Sequence, residues 1–68
     1  PEACLCPITR CVMQDPYMLV DSGHSYEGAA IRKWLERNSS DPCTNTEVGS
    51  EANMVPNHTL RRLLADLQ

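Results

Sequence analysis

Residues 22–48 read SGHSYEGAAIRKWLERNSSDPCTNTEV, and this stretch decides the fold. A turn leads into a helix, the helix carries the chain's single Trp34, and a polar loop then makes a Pro-Cys-Thr corner. Gly23 supplies the left-handed geometry that the Asp21-Ser22-Gly23 turn requires. Before the turn, Tyr17 to Val20 is an apolar run, and the chain returns through His24 to Tyr26, so a short β-hairpin is predicted. From Glu27 to Arg37 the pattern predicts a helix, with Ser25 in the N-cap region and Asn38 as the stop. Ala30, Ile31, Trp34 and Leu35 share one broad face of it. Either Trp34 fills the core on that face, or it is presented to a partner beside the Pro42 corner.

Working outward, CPITRCVMQDP at residues 6–16 is irregular, because Pro7 and Pro16 break any long element. Its Ile8, Val12 and Met13 tie the loop partly to a core. Toward the other end, NMVP at 53–56 predicts a brief strand. In NHTLRRLLADLQ, Leu60, Leu63, Leu64 and Leu67 recur at helical spacing, so an amphipathic helix capped by Asn57 follows. Four leucines in so small a core are expected to be used internally, with docking of a second copy as their other use. The order of loop, hairpin, helix, loop, short strand and helix describes a small α+β domain. No internal repeat is read in it.

With 68 residues the chain makes one domain, residues 1–68, and its start at Pro1 reads as a piece cut from a longer protein. A domain of this size buries only about 60% of its unfolded surface and needs a staple. Cys4, Cys6, Cys11 and Cys43 are the first candidates. Cys4 and Cys6 are too close to bridge comfortably, and nothing else marks a secreted disulfide scaffold. Cys6 and Cys11 have a spacing that zinc accepts, but two tetrahedral zinc ions need more ligands than the six Cys and His present. A single zinc stays open, and no cofactor is expected. Cys43 has no neighbouring His or helix N-terminus to activate it, so all four cysteines are read as small, partly buried apolar groups. The staple is then a polar network. Net charge is −3 with scattered basic residues, which argues against nucleic acid, and no membrane-spanning run is present.

Six motifs in order now carry a resemblance: CPIT at 6–9, M-x-D-P at 13–16, SGHSYE at 22–27, A-I-x-x-W-L at 30–35, D-P-x-T at 41–44 and V-P-N-H-x-L-R-x-L-L at 55–64. Together they resemble the U-box domain, over nearly the whole chain from Cys6 to Leu67. The resemblance implies a fold like that of RING fingers, with hydrogen bonds and salt bridges in place of both zinc ions. It also implies a ubiquitin-protein ligase, a transferase that docks a ubiquitin-conjugating enzyme and promotes transfer of ubiquitin from its thioester to a substrate lysine. Such a domain contributes no nucleophile, so no catalytic residue is expected. Matched by motif, Ile8, Arg10, Trp34, Pro42 and Asn45 contact the conjugating enzyme. Asn45 departs from members that carry Arg there, which predicts weaker activation of the bound ubiquitin. Asp15, Asp21, His24, Ser25, Tyr26, Glu27 and Asn57 are the expected zinc-replacing network. Substrates would be recruited by other domains, and the setting would be cytoplasmic or nuclear. A non-catalytic scaffold with the same fold is the alternative reading.

Overall fold

The computed structural model describes residues 4–48 and 53–67. The apolar run forms strand β1, Pro16–Leu19, and the chain returns as β2, Ser25–Glu27. The backbone N–H groups of Ser22 and Gly23 both donate to Leu19 O, at 3.3 and 2.7 Å, closing the predicted turn. Gly23 sits at φ 77°, a conformation that costs glycine little. The predicted short strand is β3, Met54–Pro56, and it pairs with the other edge of β1. The sheet is antiparallel in the order β2-β1-β3, with Tyr17 opposite both Tyr26 and Pro56. Proline is tolerated here because Pro16 opens its strand and Pro56 closes an edge strand.

Helix α1 runs from Gly28 to Leu35, shorter at both ends than the pattern predicts. Ser25 is in β2 and is no part of the cap. Glu27 is the N-cap, yet its side chain does not cap the helix, because the carboxylate turns away to the backbone of Gln14 and Asp15. At the far end Asn38 Nδ2 donates to Trp34 O at 3.0 Å, and the backbone N–H of Arg37 and Asn38 converge on the same carbonyl. That satisfies the last turn and ends the helix. Gly28 is required by close approach: a Cβ there would lie 2.7 Å from Tyr17 Cδ1.

Helix α2, His58–Leu67, is capped as expected, with Leu60 N donating to Asn57 Oδ1 at 3.0 Å. Its leucines depart from expectation. Leu64 is buried and Leu60 half-buried, but Leu63 is 54% and Leu67 65% exposed. A three-stranded sheet of three- and four-residue strands is too narrow to cover the whole stripe.

The core unites Cys4, Cys6, Met13, Leu19, Tyr26, Ile31, Val48 and Leu64. Burying a side chain such as Ile31, with no exposed surface, contributes about 1.5–3 kcal/mol. The cysteines split: Cys4 and Cys6 are buried, while Cys11 and Cys43 are exposed, contrary to the uniform reading of all four. All four are free thiols. Among the described residues no helix is long and apolar enough to cross a membrane.

Candidate functional site: two matching loops and a groove on the central helix

Loop 1, residues 4–13, and loop 2, residues 39–48, close in the same way. Leu5 bridges Val12 in the first, and Ser40 bridges Glu47 in the second. The outer bond joins Met13 N to Cys4 O at 2.9 Å and Val48 N to Ser39 O at 2.8 Å. Inside it, Cys6 N donates to Cys11 O at 2.9 Å, and Asp41 N to Thr46 O at 2.8 Å. Arg10 N donates to Cys6 O and Asn45 N to Asp41 O, at 2.7 and 2.9 Å. Thr9 Oγ1 accepts from Cys11 N and Thr44 Oγ1 from Thr46 N, both at 3.2 Å. Arg10 and Asn45 both hold φ 63°, the left-handed conformation that few side chains adopt. The expectation of no internal repeat is therefore corrected. CPITR and DPCTN are one loop used twice, and only Pro and Thr are shared between them.

The first residue of each five-residue motif, Asp41 of DPCTN and Cys6 of CPITR, anchors its loop. Asp41 is 1% exposed, and its Oδ1 accepts from Tyr26 Oη at 2.5 Å, Cys43 N at 2.7 Å and Thr44 N at 3.0 Å. Oδ2 is buried and makes no hydrogen bond. Burial alone would raise this carboxyl, but the nearby Ser22 hydroxyl, the Tyr26 phenol and the two amides outweigh it and bring it down to about 2. Tyr26 moves the other way: burial and the carboxylate beside its hydroxyl keep the phenol protonated far above its usual range. Cys6 is the counterpart of Asp41. Its Sγ accepts from Glu27 N at 3.2 Å, and the amides of Thr9 and Ile8 also face it. Burial raises that thiol, but these donors outweigh it and leave it below the ordinary cysteine value.

Other residues of the expected network tie the residues just after loop 1 and the start of α2 to the sheet. Glu27 accepts from Asp15 N at 2.8 Å and from Gln14 N at 3.2 Å. Asn57 Nδ2 donates to Ser25 Oγ at 3.0 Å, and Asn57 N donates to Pro16 O at 2.9 Å. Asp15 meets Arg61 at 3.6 Å, with both side chains about half exposed, a pair of small energetic weight. Asp21 and His24 are exposed. Among the described residues their side chains make no hydrogen bond or ion pair, and His24 takes part through its backbone, donating to Ser22 Oγ. No three His, Cys, Asp or Glu side chains among the described residues converge as a metal would need.

Between loop 1 and the C-terminal part of α1 lies an open groove of about 310 Å³, lined by Ile8, Ala30, Lys33, Trp34, Arg37 and Asn38. Trp34 is half-buried: one side packs on the core, another lines the groove, and its indole N–H donates to Ser40 O at 2.7 Å. Core and groove are thus one residue's two faces. The structure brings Ile8 and Trp34 together in the lining, whereas half-buried Pro42 and exposed Arg10 and Asn45 lie outside it. Sequence reasoning missed Lys33, Arg37 and Asn38 in the groove, and Asp41 as an anchor. The parallel between C-P-x-T and D-P-x-T was the available signal for Asp41.

Two loops of matching hydrogen-bond pattern beside a three-stranded sheet, with an open groove between the first loop and the central helix, define a small α+β domain of the RING-like kind. The family model for the U-box domain matches residues 1–66, and the chain belongs to that family. Among curated relatives, E3 ubiquitin-protein ligase PUB22 of Arabidopsis thaliana is 42% identical over 65 residues, covering 94% of this chain and 15% of the relative. U-box domain-containing protein 32 of the same plant is 41% identical over 69 residues, covering 100% of this chain and 8% of the relative. E3 ubiquitin-protein ligase PUB23, also from Arabidopsis thaliana, is 41% identical over 66 residues, 94% of this chain and 16% of its own. The chain therefore spans only a small part of the length of these relatives.

Proposed function

We propose that this domain is the conjugating-enzyme-docking part of a ubiquitin-protein ligase. The observation that carries the proposal is the half-buried Trp34 in an open apolar groove with Ile8, its indole fixed by Ser40 O. An apolar loop of a ubiquitin-charged conjugating enzyme fits such a groove. Aromatic anchors in desolvated pockets commonly carry about 2 kcal/mol or more of an interface. Relatives named as E3 ubiquitin-protein ligases support the same reading.

In this mechanism the bond chemistry stays on the conjugating enzyme. The substrate lysine amine attacks the thioester carbonyl, the enzyme's cysteine thiolate leaves, and an isopeptide bond forms. The domain's part is to hold the thioester near the lysine and to restrict ubiquitin to reactive poses, converting a loose encounter into an oriented one. Arg10 and Asn45, at equivalent tips of the two loops, are the polar contacts we assign to the enzyme and its ubiquitin, and Pro42 stiffens the second loop. Asn45 offers two amide donors without a charge, hence weaker activation than an arginine there. Substrates are recruited by other parts of a longer protein, in the cytosol or nucleus, and Leu63 and Leu67 leave a face on which a second copy can dock.

The test is single-turnover discharge of a charged conjugating enzyme to free lysine, with wild type, Ile8→Ala and Trp34→Ala. Acceleration by wild type that is lost in both folded variants supports the ligase reading. Binding without acceleration makes the domain a scaffold, and no binding across a broad enzyme panel overturns the docking role.

A further inference from the structure

Lys33, in the last turn of α1, and Arg37, two residues past its end, line the groove beside Trp34, and both are exposed. Neither has an ionic partner in the described structure, where the ion pair is Arg61 with Asp15 and Arg32 lies over the Tyr17 ring at 4.7 Å. Local helix energetics give no reason for both. A cation at a helix C-terminus, such as Lys33, gains a little from the macrodipole, but a second like charge close by at Arg37 repels it. The groove lining contains these two cations and no carboxylate, on a chain whose net charge is −3. Two of the six basic residues thus stand at the rim of the open apolar surface with no acidic residue in the lining to offset them.

Resting on the docking function proposed above, we infer that Lys33 and Arg37 set which conjugating enzymes this domain accepts. The preferred partner carries a carboxylate beside the apolar side chain that enters the groove, and an enzyme with a basic side chain at that place is rejected. Charges at an interface rim add modest affinity, but a like-charge juxtaposition penalises the wrong partner, so discrimination is the larger effect. Because the two cations are exposed, salt screens the effect.

The experiment measures the Kd of two probes: a conjugating enzyme with a carboxylate at the groove-facing position, and the same enzyme with that carboxylate replaced by lysine. Each is titrated at low and high ionic strength against wild type, Lys33→Glu/Arg37→Glu, Trp34→Ala and Ile8→Ala, with circular dichroism to verify folding. Wild type is expected to prefer the acidic probe by about tenfold, the doubly reversed variant to prefer the lysine probe, and high salt to shrink both preferences. An unchanged preference after charge reversal, while Trp34→Ala or Ile8→Ala abolishes binding of both probes, overturns the charge inference and leaves the groove standing. Binding that survives both apolar truncations overturns the docking role and this inference with it.

Discussion

Replacing Asp41 with alanine removes one acceptor oxygen and orphans three donors. Tyr26 Oη, in a residue with no exposed surface, loses its 2.5 Å bond, and the amides of Cys43 and Thr44 lose theirs. An orphaned buried donor costs about 1–3 kcal/mol. The phenol bears most of that cost, because Cys43 and Thr44 are exposed and water can reach their amides once loop 2 loosens. The expected total is about 3–4 kcal/mol, a large share of the roughly 5–15 kcal/mol available to a small domain. Tyr26→Phe removes a donor and leaves the two amides in place, so about 1–2 kcal/mol is expected, and the double variant should fall well short of additivity. Urea unfolding followed by Trp34 fluorescence reads all three, since the indole is tied to Ser40 next to the anchor. The same carboxylate sets an acid limit. Its folded-state value of about 2 lies below the ordinary 3.8, so it contributes stability above the unfolded value and loses it as pH falls from about 4 toward about 2. That contribution is about 2 kcal/mol, and Asp41→Ala should flatten the acid slope in this window. A loss below about 1 kcal/mol on Asp41→Ala, or fully additive effects with Tyr26→Phe, would refute the anchor argument.

Substitutions at three further positions follow from their local structure. Gly28→Ala places a methyl 2.7 Å from the Tyr17 ring and should cost about 1–3 kcal/mol in urea unfolding, despite alanine's better helix propensity; a stabilised variant would count against that close approach. Cys6→Asp keeps an acceptor before the amides of Ile8, Thr9 and Glu27, so it should melt higher than Cys6→Val, which keeps the apolar volume and drops the acceptor; the reverse order would show that packing alone holds loop 1. Asn45→Arg should raise the single-turnover discharge rate several-fold without changing the Kd for uncharged conjugating enzyme, while Asn45→Gly, relieving the left-handed backbone, should raise stability by up to about 1 kcal/mol.

The hairpin, both helices and the Asn57 cap were legible because each rests on short-range physics. Gly23 is needed wherever a left-handed turn occurs, and leucines at helical spacing share a face in any helix. The place of Trp34 beside a second loop came from the resemblance to the U-box that six motifs in order carry, and the indole bond to Ser40 O agrees with it. Tertiary structure decided what those residues bond to. Whether Glu27 caps its helix or serves loop 1 depends on how closely Gln14 and Asp15 approach it. Whether Tyr26 meets Asp41 depends on β2 facing loop 2 across the core. Sheet width alone left Leu63 and Leu67 in solvent while Leu64 went in. The likeness of CPITR to DPCTN lies in backbone hydrogen bonds that cysteine and aspartate satisfy equally well, so it is nearly invisible in residue identities. A pattern along the chain determines periodicity and turns, because those depend on neighbours within a few residues. Partners far apart in sequence are chosen by packing, which only the folded chain supplies.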